Sequence, residues 1–258
     1  MNIRCMSGAG NTFAVCDMRG QPADLATLAK RLCKLTNADG FLAVDDSDLA
    51  DFKLHFYNPD GLRGEMCGNG ARCVCRFAFE LGIVDDTVTI ETDAGLVWGT
   101  RISDSVWCVQ LNLPSVIDLH RTKNAAYIEL GRPGIPHCVT KIPGLSWDDC
   151  ESLRDPAKKL RFDPAFPKGV NVNFYDWVDA TTVRILTYER GVENFTLACG
   201  TGSASTAVTL WAEGLLPDGT LTVQNPGGDL RITLKSENDH LTALFLEGPA
   251  EGDTWIDT

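Results

Sequence analysis

Apolar and polar residues alternate along FKLHFY at 52–57 and TVRILTY at 182–188, and each run ends in a polar turn, NPDG or ERG. A period of two predicts half-buried strands. Beyond each turn the period lengthens. ARCVCRFAFELG at 71–82 and SASTAVTLWAEG at 203–214 are apolar over most of a helical circumference, which predicts helices enclosed by a curved sheet. Both close on a glycine, Gly82 and Gly214, as helix C-termini commonly do. Two further β-rich runs joined by a Gly-bearing turn follow each helix, TVTIETDAGLVWGT at 87–100 and TLTVQNPGGDLRIT at 220–233. A last pair, VWCVQLNLP at 106–114 and LTALFLEGP at 241–249, extends the parallel.

The chain is therefore written twice. Cys199 follows Cys67 at the interval at which Arg190 follows Asn58, and the flanking strands and helices keep nearly the same offset. The expected architecture is α+β: two pseudo-symmetric domains, each a curved mixed or antiparallel sheet wrapped around a central helix. Residues 1–117 would form the first half and 118–258 the second, joined near 115–125, with a cleft between them. The last strand is expected to pair back with the first domain.

Composition narrows the function more than the fold. A length of 258 residues accommodates two ordinary domains, and 44% hydrophobic with 22% charged residues describes a soluble globular chain. The net charge of −12 argues against a nucleic-acid partner, since phosphate binding needs Lys and Arg clusters and the nearest is KKLR at 158–161. The opening MNIRCMSGAG lacks the apolar core of a signal peptide, and no apolar run nears the roughly 20 residues that span a bilayer, so the expected compartment is the cytoplasm. Ten cysteines show neither the paired spacing of a zinc knot nor the setting of a disulfide framework, and most read as small buried apolar residues. No metal is expected.

Cys67 and Cys199 differ from the others because each opens a helix inside a glycine turn, CGNGA and CGTGS. The first N–H groups of a helix lack intrahelical acceptors and, with the macrodipole, bind anions. A helix start also favours the thiolate form of a cysteine. Two such starts facing one small carboxylate could place a sulfur on either side of an amino acid's α-carbon. One thiolate would remove the α-proton and the other thiol return one with inverted configuration, while the carboxylate held by N–H groups takes the developing charge. No pyridoxal phosphate or other cofactor is required.

MSGAGNTF, NADGFL at 37–42, YNPDG, MCGNGARC, PHCV at 136–139, VNVNF at 170–174 and YERGVENFTLACGTGSA together resemble the diaminopimelate epimerase family of cofactor-independent amino-acid racemases, over nearly the whole chain. The resemblance implies that Cys67 and Cys199 are the acid/base pair and that Gly68, Asn69, Gly200 and Thr201 bind the carboxylate at the reacting centre. It further implies that Asn11, Asn58, Asn171, Glu189 and Arg190 contact the rest of the substrate, with Arg190 suited to a distal carboxylate. The implied reaction is inversion of LL- to meso-diaminopimelate, in lysine and peptidoglycan biosynthesis. Three positions depart from the family pattern: Thr12 in GNT, Ile135 where the family writes Asn before PHCV, and Phe195 where Glu is common.

The alternatives are a racemase of another amino acid, such as histidine, and a non-catalytic amino-acid-binding protein. A matched thiol pair has no use in the latter. His137 invites a cysteine-protease reading, but the cysteine is duplicated and no histidine is, so it reads as structural. The expected partner is a small amino-acid substrate, with no nucleic acid and no membrane; a homodimer is left open.

Overall fold

A computed structural model describes residues 2–64 and 66–257. The chain divides into two compact units, Met1–Gln110 with Glu247–Thr258, and Leu111–Leu246.

In the first unit, β1 (Asn2–Gly8) and β2 (Asn11–Asp17) form an antiparallel hairpin. Helix α1 (Leu25–Thr36) then crosses to β3 (Gly40–Asp45), which runs parallel to β2. Asp24 caps α1 by accepting from the Thr27 N–H at 3.2 Å, and the helix buries only Ala29, Leu32 and Cys33. β4 (Phe52–Tyr57) returns antiparallel to β3, with the short β5 (Arg63–Gly64) beside it. Helix α2 (Gly68–Glu80) crosses over to β6 (Thr87–Thr92), parallel to β4, and β7 (Gly95–Arg101) and β8 (Val106–Leu111) continue antiparallel.

The second unit repeats this order strand for strand. β9 (Pro114–Thr122) leads in and pairs with β10 (Ala125–Leu130), which pairs antiparallel with β11 (Ile135–Lys141). Helix α3 (Cys150–Arg161) crosses to β12 (Asn171–Asp179), parallel to β11, and β13 (Thr182–Glu189) returns antiparallel with β14 (Asn194–Thr196) at its edge. Helix α4 (Gly200–Ala212) crosses to β15 (Thr220–Asn225), parallel to β13, and β16 (Gly228–Glu237) follows antiparallel. β17 (His240–Pro249) leads back to the first unit, where β18 (Glu251–Asp257) pairs antiparallel with β1. A boundary between residues 117 and 118 would cut β9, which is paired with β10 along its length; the division falls before that strand instead.

Two kinds of helix result. α1 and α3 are amphipathic and lie on the outside, α3 burying only Ala157. α2 and α4 are enclosed: α2 packs against β1, β2, β3, β7 and β18, and α4 against β9, β10, β11, β12, β15 and β16. Both end on glycines in the left-handed region, Gly82 at φ 67° and Gly214 at φ 73°, where a Cβ would be strained. The apolar core of the second unit gathers Tyr127, Phe166, Phe174, Leu186 and Tyr188. That of the first gathers Ile3, Met18, Leu32 and Phe41 around α1. Among the described residues no helix is long and apolar enough to cross a membrane.

Candidate active site

The glycine turns are the first turns of the central helices themselves, not loops ahead of them. Cys67 is the N-cap of α2 with φ −127° and ψ 117°, and Cys199 is the N-cap of α4 with φ −121° and ψ 107°. Each carbonyl accepts the first helical N–H, Ala71 to Cys67 at 2.8 Å and Ser203 to Cys199 at 2.9 Å. Both caps have extended backbone, and the Cys199 sulfur accepts from the Gly202 N–H while the Cys67 side chain makes no such capping bond to its helix.

In the first unit the Cys67 thiol donates to Asn11 Oδ1 at 3.7 Å. Asn11 is in turn held by Asp39, whose Oδ2 accepts from Asn11 Nδ2 at 3.1 Å and from the Thr12 N–H and hydroxyl, both at 2.9 Å. Thr12 therefore locks the Asn11 turn to Asp39. Asn69 is buried and its amide oxygen accepts from Arg72 Nη2 at 3.0 Å. Asn58, half-buried, opens the turn after β4, its N–H donating to Leu62 O at 2.9 Å.

In the second unit Cys199 is surrounded by polar groups. The Gly202 N–H donates to its sulfur at 3.4 Å, and the Thr201 hydroxyl lies 3.5 Å away. The nearby carboxyl of Glu189 accepts from Thr196 Oγ1 at 2.6 Å. Burial raises the pKa of Glu189 above the usual carboxylate value, and Thr196 and Cys199 work against the shift. A Cβ at Gly202 would come within 2.3 Å of Asn173 Oδ1, so this glycine lets the first turn of α4 press against a protein side chain.

Asn171 is a clamp: its Oδ1 accepts from the Arg190 N–H at 2.9 Å and its Nδ2 donates to Pro136 O at 3.1 Å. The exposed Arg190 guanidinium donates to Lys168 O at 3.0 Å.

Sequence reasoning passed over Asp39, Arg72 and Asn173. Asn173 donates to Cys138 O at 2.9 Å, which fixes its amide orientation, and to His137 Nδ1 at 3.1 Å, while its oxygen accepts from Thr187 Oγ1 at 3.0 Å. With Nδ1 an acceptor, neutral His137 carries its proton on Nε2, which is buried with no hydrogen-bond partner among the described residues. Burial, helped by the charge of Arg190, lowers the His137 pKa to about 3. Its partner in VNVNF is the one local signal that could have drawn attention to it. Phe195 packs edge-on against Tyr188 and beside Phe174, so this departure belongs to the core. Ile135, half-buried at the start of β11, has no such explanation in the structure.

Among the described residues no three His, Cys, Asp or Glu side chains gather as metal ligands. Of the other cysteines, Cys16, Cys33, Cys73, Cys75 and Cys138 are buried, and Cys5, Cys108 and Cys150 partly so.

The scaffold is α+β and doubled within one chain, with a cysteine at the N-cap of each central helix. A probable proline racemase from Agrobacterium radiobacter K84, solved with bound carbonate, superposes with a TM-score of 0.72 at 19% identity, over 100% of this chain and 92% of that one. A phenazine biosynthesis protein of the PhzF family from Bacillus anthracis gives 0.77 at 14% identity, covering 100% and 98%. At these identities the likeness is one of fold. The sequence is more specific. The family model for diaminopimelate epimerase matches residues 4–106 and 132–251. A diaminopimelate epimerase from Flavobacterium psychrophilum is 33% identical over 257 residues, 97% of each chain, and one from Chlamydia muridarum is 35% identical over 255 residues, 94% of this chain and 89% of that one. The chain belongs to the diaminopimelate epimerase family.

Proposed function

We propose that this protein is an isomerase that inverts the α-carbon of an amino acid without pyridoxal phosphate, converting LL- to meso-diaminopimelate for lysine and peptidoglycan synthesis. The observation that carries the reading is the matched pair of thiols, each the extended N-cap of a 13-residue helix enclosed by its own unit's strands. Family membership supports the reaction and the substrate together.

In this reading the α-carboxylate accepts hydrogen bonds at the helix starts formed by Gly68, Asn69, Gly200 and Thr201. One cysteine, as thiolate, takes the α-proton; the C–H electron pair moves into the carboxylate, and the other cysteine delivers its proton to the opposite face. The two sulfurs exchange protonation states, so the reaction runs equally in reverse. Asn11, Asn58, Asn171, Glu189 and Arg190 hold the remainder of the substrate, with the Arg190 guanidinium facing its distal carboxylate. The enzyme would work in the cytoplasm on a small amino acid, as a homodimer or alone, without nucleic acid, membrane or cofactor.

Ile135 favours a second reading, the same chemistry on another amino acid. An amide missing from a charged group's partners costs about 1.5–3 kcal/mol, so diaminopimelate binding would weaken roughly ten- to hundredfold. The deciding experiment follows α-deuterium incorporation in deuterated water with LL-diaminopimelate, histidine, lysine, arginine and glutamate. Fast exchange of diaminopimelate alone is the expected outcome, and Ile135→Asn should then accelerate it by about tenfold. Inert diaminopimelate with rapid exchange of another amino acid establishes the second reading; no exchange with any leaves a binding protein.

A further inference from the structure

Arg72 lies in the second turn of α2 and is fully buried. Its three nitrogens each reach an oxygen: Nε to Pro249 O at 3.2 Å, Nη1 to Gly68 O at 3.2 Å, and Nη2 to Asn69 Oδ1 at 3.0 Å. All three acceptors are neutral, and among the described residues no carboxylate pairs with it. The other arginine of the helix shows the usual arrangement: Arg76 Nε pairs with Glu80 Oε1 at 2.8 Å. Nor do neighbouring thiols compensate. Cys73, Cys67, Cys75 and Cys108 are the groups that favour the Arg72 charge, but burial pushes Cys73 up to about 12, Cys108 to about 11 and Cys75 higher still, which keeps those three neutral.

A guanidinium stays charged in proteins, and burying one without an anion costs several kcal/mol. Here the cost is compounded, because the positive end of the helix dipole lies in the turn just before it. Both fields favour an anion at the first turn of α2, and two of the three guanidinium bonds go to Gly68 and Asn69.

We infer that Arg72 is a positioning residue for the reaction: its buried guanidinium fixes Gly68 and Asn69 at the start of α2 and takes the arriving carboxylate as its compensating charge. The inference rests on the reading that this helix start receives the substrate's α-carboxylate. It predicts a binding preference that does not depend on which amino acid is turned over.

The test compares alkylation of Cys67 by iodoacetate, which carries a carboxylate, and by neutral iodoacetamide, in reduced protein, read by mass spectrometry of the Cys67 peptide. In the wild type the iodoacetate-to-iodoacetamide ratio should exceed that of a cysteine peptide by about tenfold, the scale of one nearby buried charge. Arg72→Met should return the ratio to the peptide value. A role limited to holding the fold would change both rates alike and leave the ratio unmoved. Arg72→Lys should keep a raised ratio but lose kcat, because an ammonium cannot span Gly68 and Asn69 as a planar fork does. If Arg72→Met does not fold, the lysine variant decides. A wild-type or lysine-variant ratio at the peptide value, or an unchanged ratio in a folded methionine variant, overturns the inference. Failure of deuterium exchange with an intact ratio would instead count against the proposed reaction alone.

Discussion

At Cys67 the charge built into the surroundings is a guanidinium; at Cys199 it is a carboxylate. The two caps share the same extended backbone, φ −127° and ψ 117° against φ −121° and ψ 107°, and their helices have the same length and the same place between parallel strands. Yet α2 carries Arg72, Cys73 and Cys75 in its buried face where α4 carries Ser205, Thr206 and other small neutral residues. Cys67 donates to an amide, Asn11; beside Cys199 lies Glu189, an acid whose ionisation is itself displaced by burial. Duplication copied the scaffold and left the electrostatics to diverge. A reaction that passes a proton from one side of a carbon to the other needs matching geometry, but its two ends need not be chemically alike.

The strongest way to break the comparison is to remove a sulfur. Cys67→Ala and Cys199→Ala should each lower epimerisation by at least a hundredfold, within the ~10²–10⁴ range of acid/base catalysis, with circular dichroism unchanged. Near-normal turnover by either variant would show that its helix start supplies no proton step.

Glu189→Gln comes next. Losing the carboxylate beside Cys199 should reduce kcat by about ten- to hundredfold while Cys67 alkylation is unaffected. The sign of the pH effect follows from the raised pKa. The carboxylate form is lost at a higher pH than for an ordinary glutamate, so wild-type activity should begin to fall earlier on acidification, and that acid limb should vanish in the variant. A limb that survives the substitution belongs to another group.

The smallest effect sharpens the comparison by exclusion. Phe195→Glu restores the residue common in the family but places a carboxylate against Tyr188 and Phe174. It should destabilise the protein by about 1–3 kcal/mol, seen as a lower thermal midpoint, with activity per folded molecule retained. Increased activity would move Phe195 from the core into the site.

The sequence carried the inner half of each unit clearly. FKLHFY and TVRILTY are β4 and β13, whose better-buried face leaves a period of two, and the apolar stretches after each glycine turn are α2 and α4, whose enclosure leaves them apolar over most of their circumference. The outer half repeats just as faithfully in topology, β1–β2–α1–β3 against β10–β11–α3–β12, but LATLAKRLCKLT and CESLRDPAKKLR share little. A helix packed on one face constrains only a few positions, so the echo is lost there. The caps were visible from their glycines. What could not be read was support drawn from far along the chain: Asp39 under Asn11, and Pro249 at the end of Arg72. Nothing in GARC announces an acceptor that belongs to a strand near the other terminus.

That remote acceptor ties chemistry to the order of synthesis. α2 draws on the far end of the chain, through Arg72 Nε to Pro249 O, Arg76 Nη1 to Ala250 O and the Phe77 ring against Trp255, and β18 closes over β1 beside them. The whole of the second unit is made between the helix and those residues. On the ribosome the first unit must therefore wait with an unsealed edge and a buried-to-be cation exposed, while the second can complete itself uninterrupted. The half that contains Cys67 is completed only when translation has passed both copies of the fold.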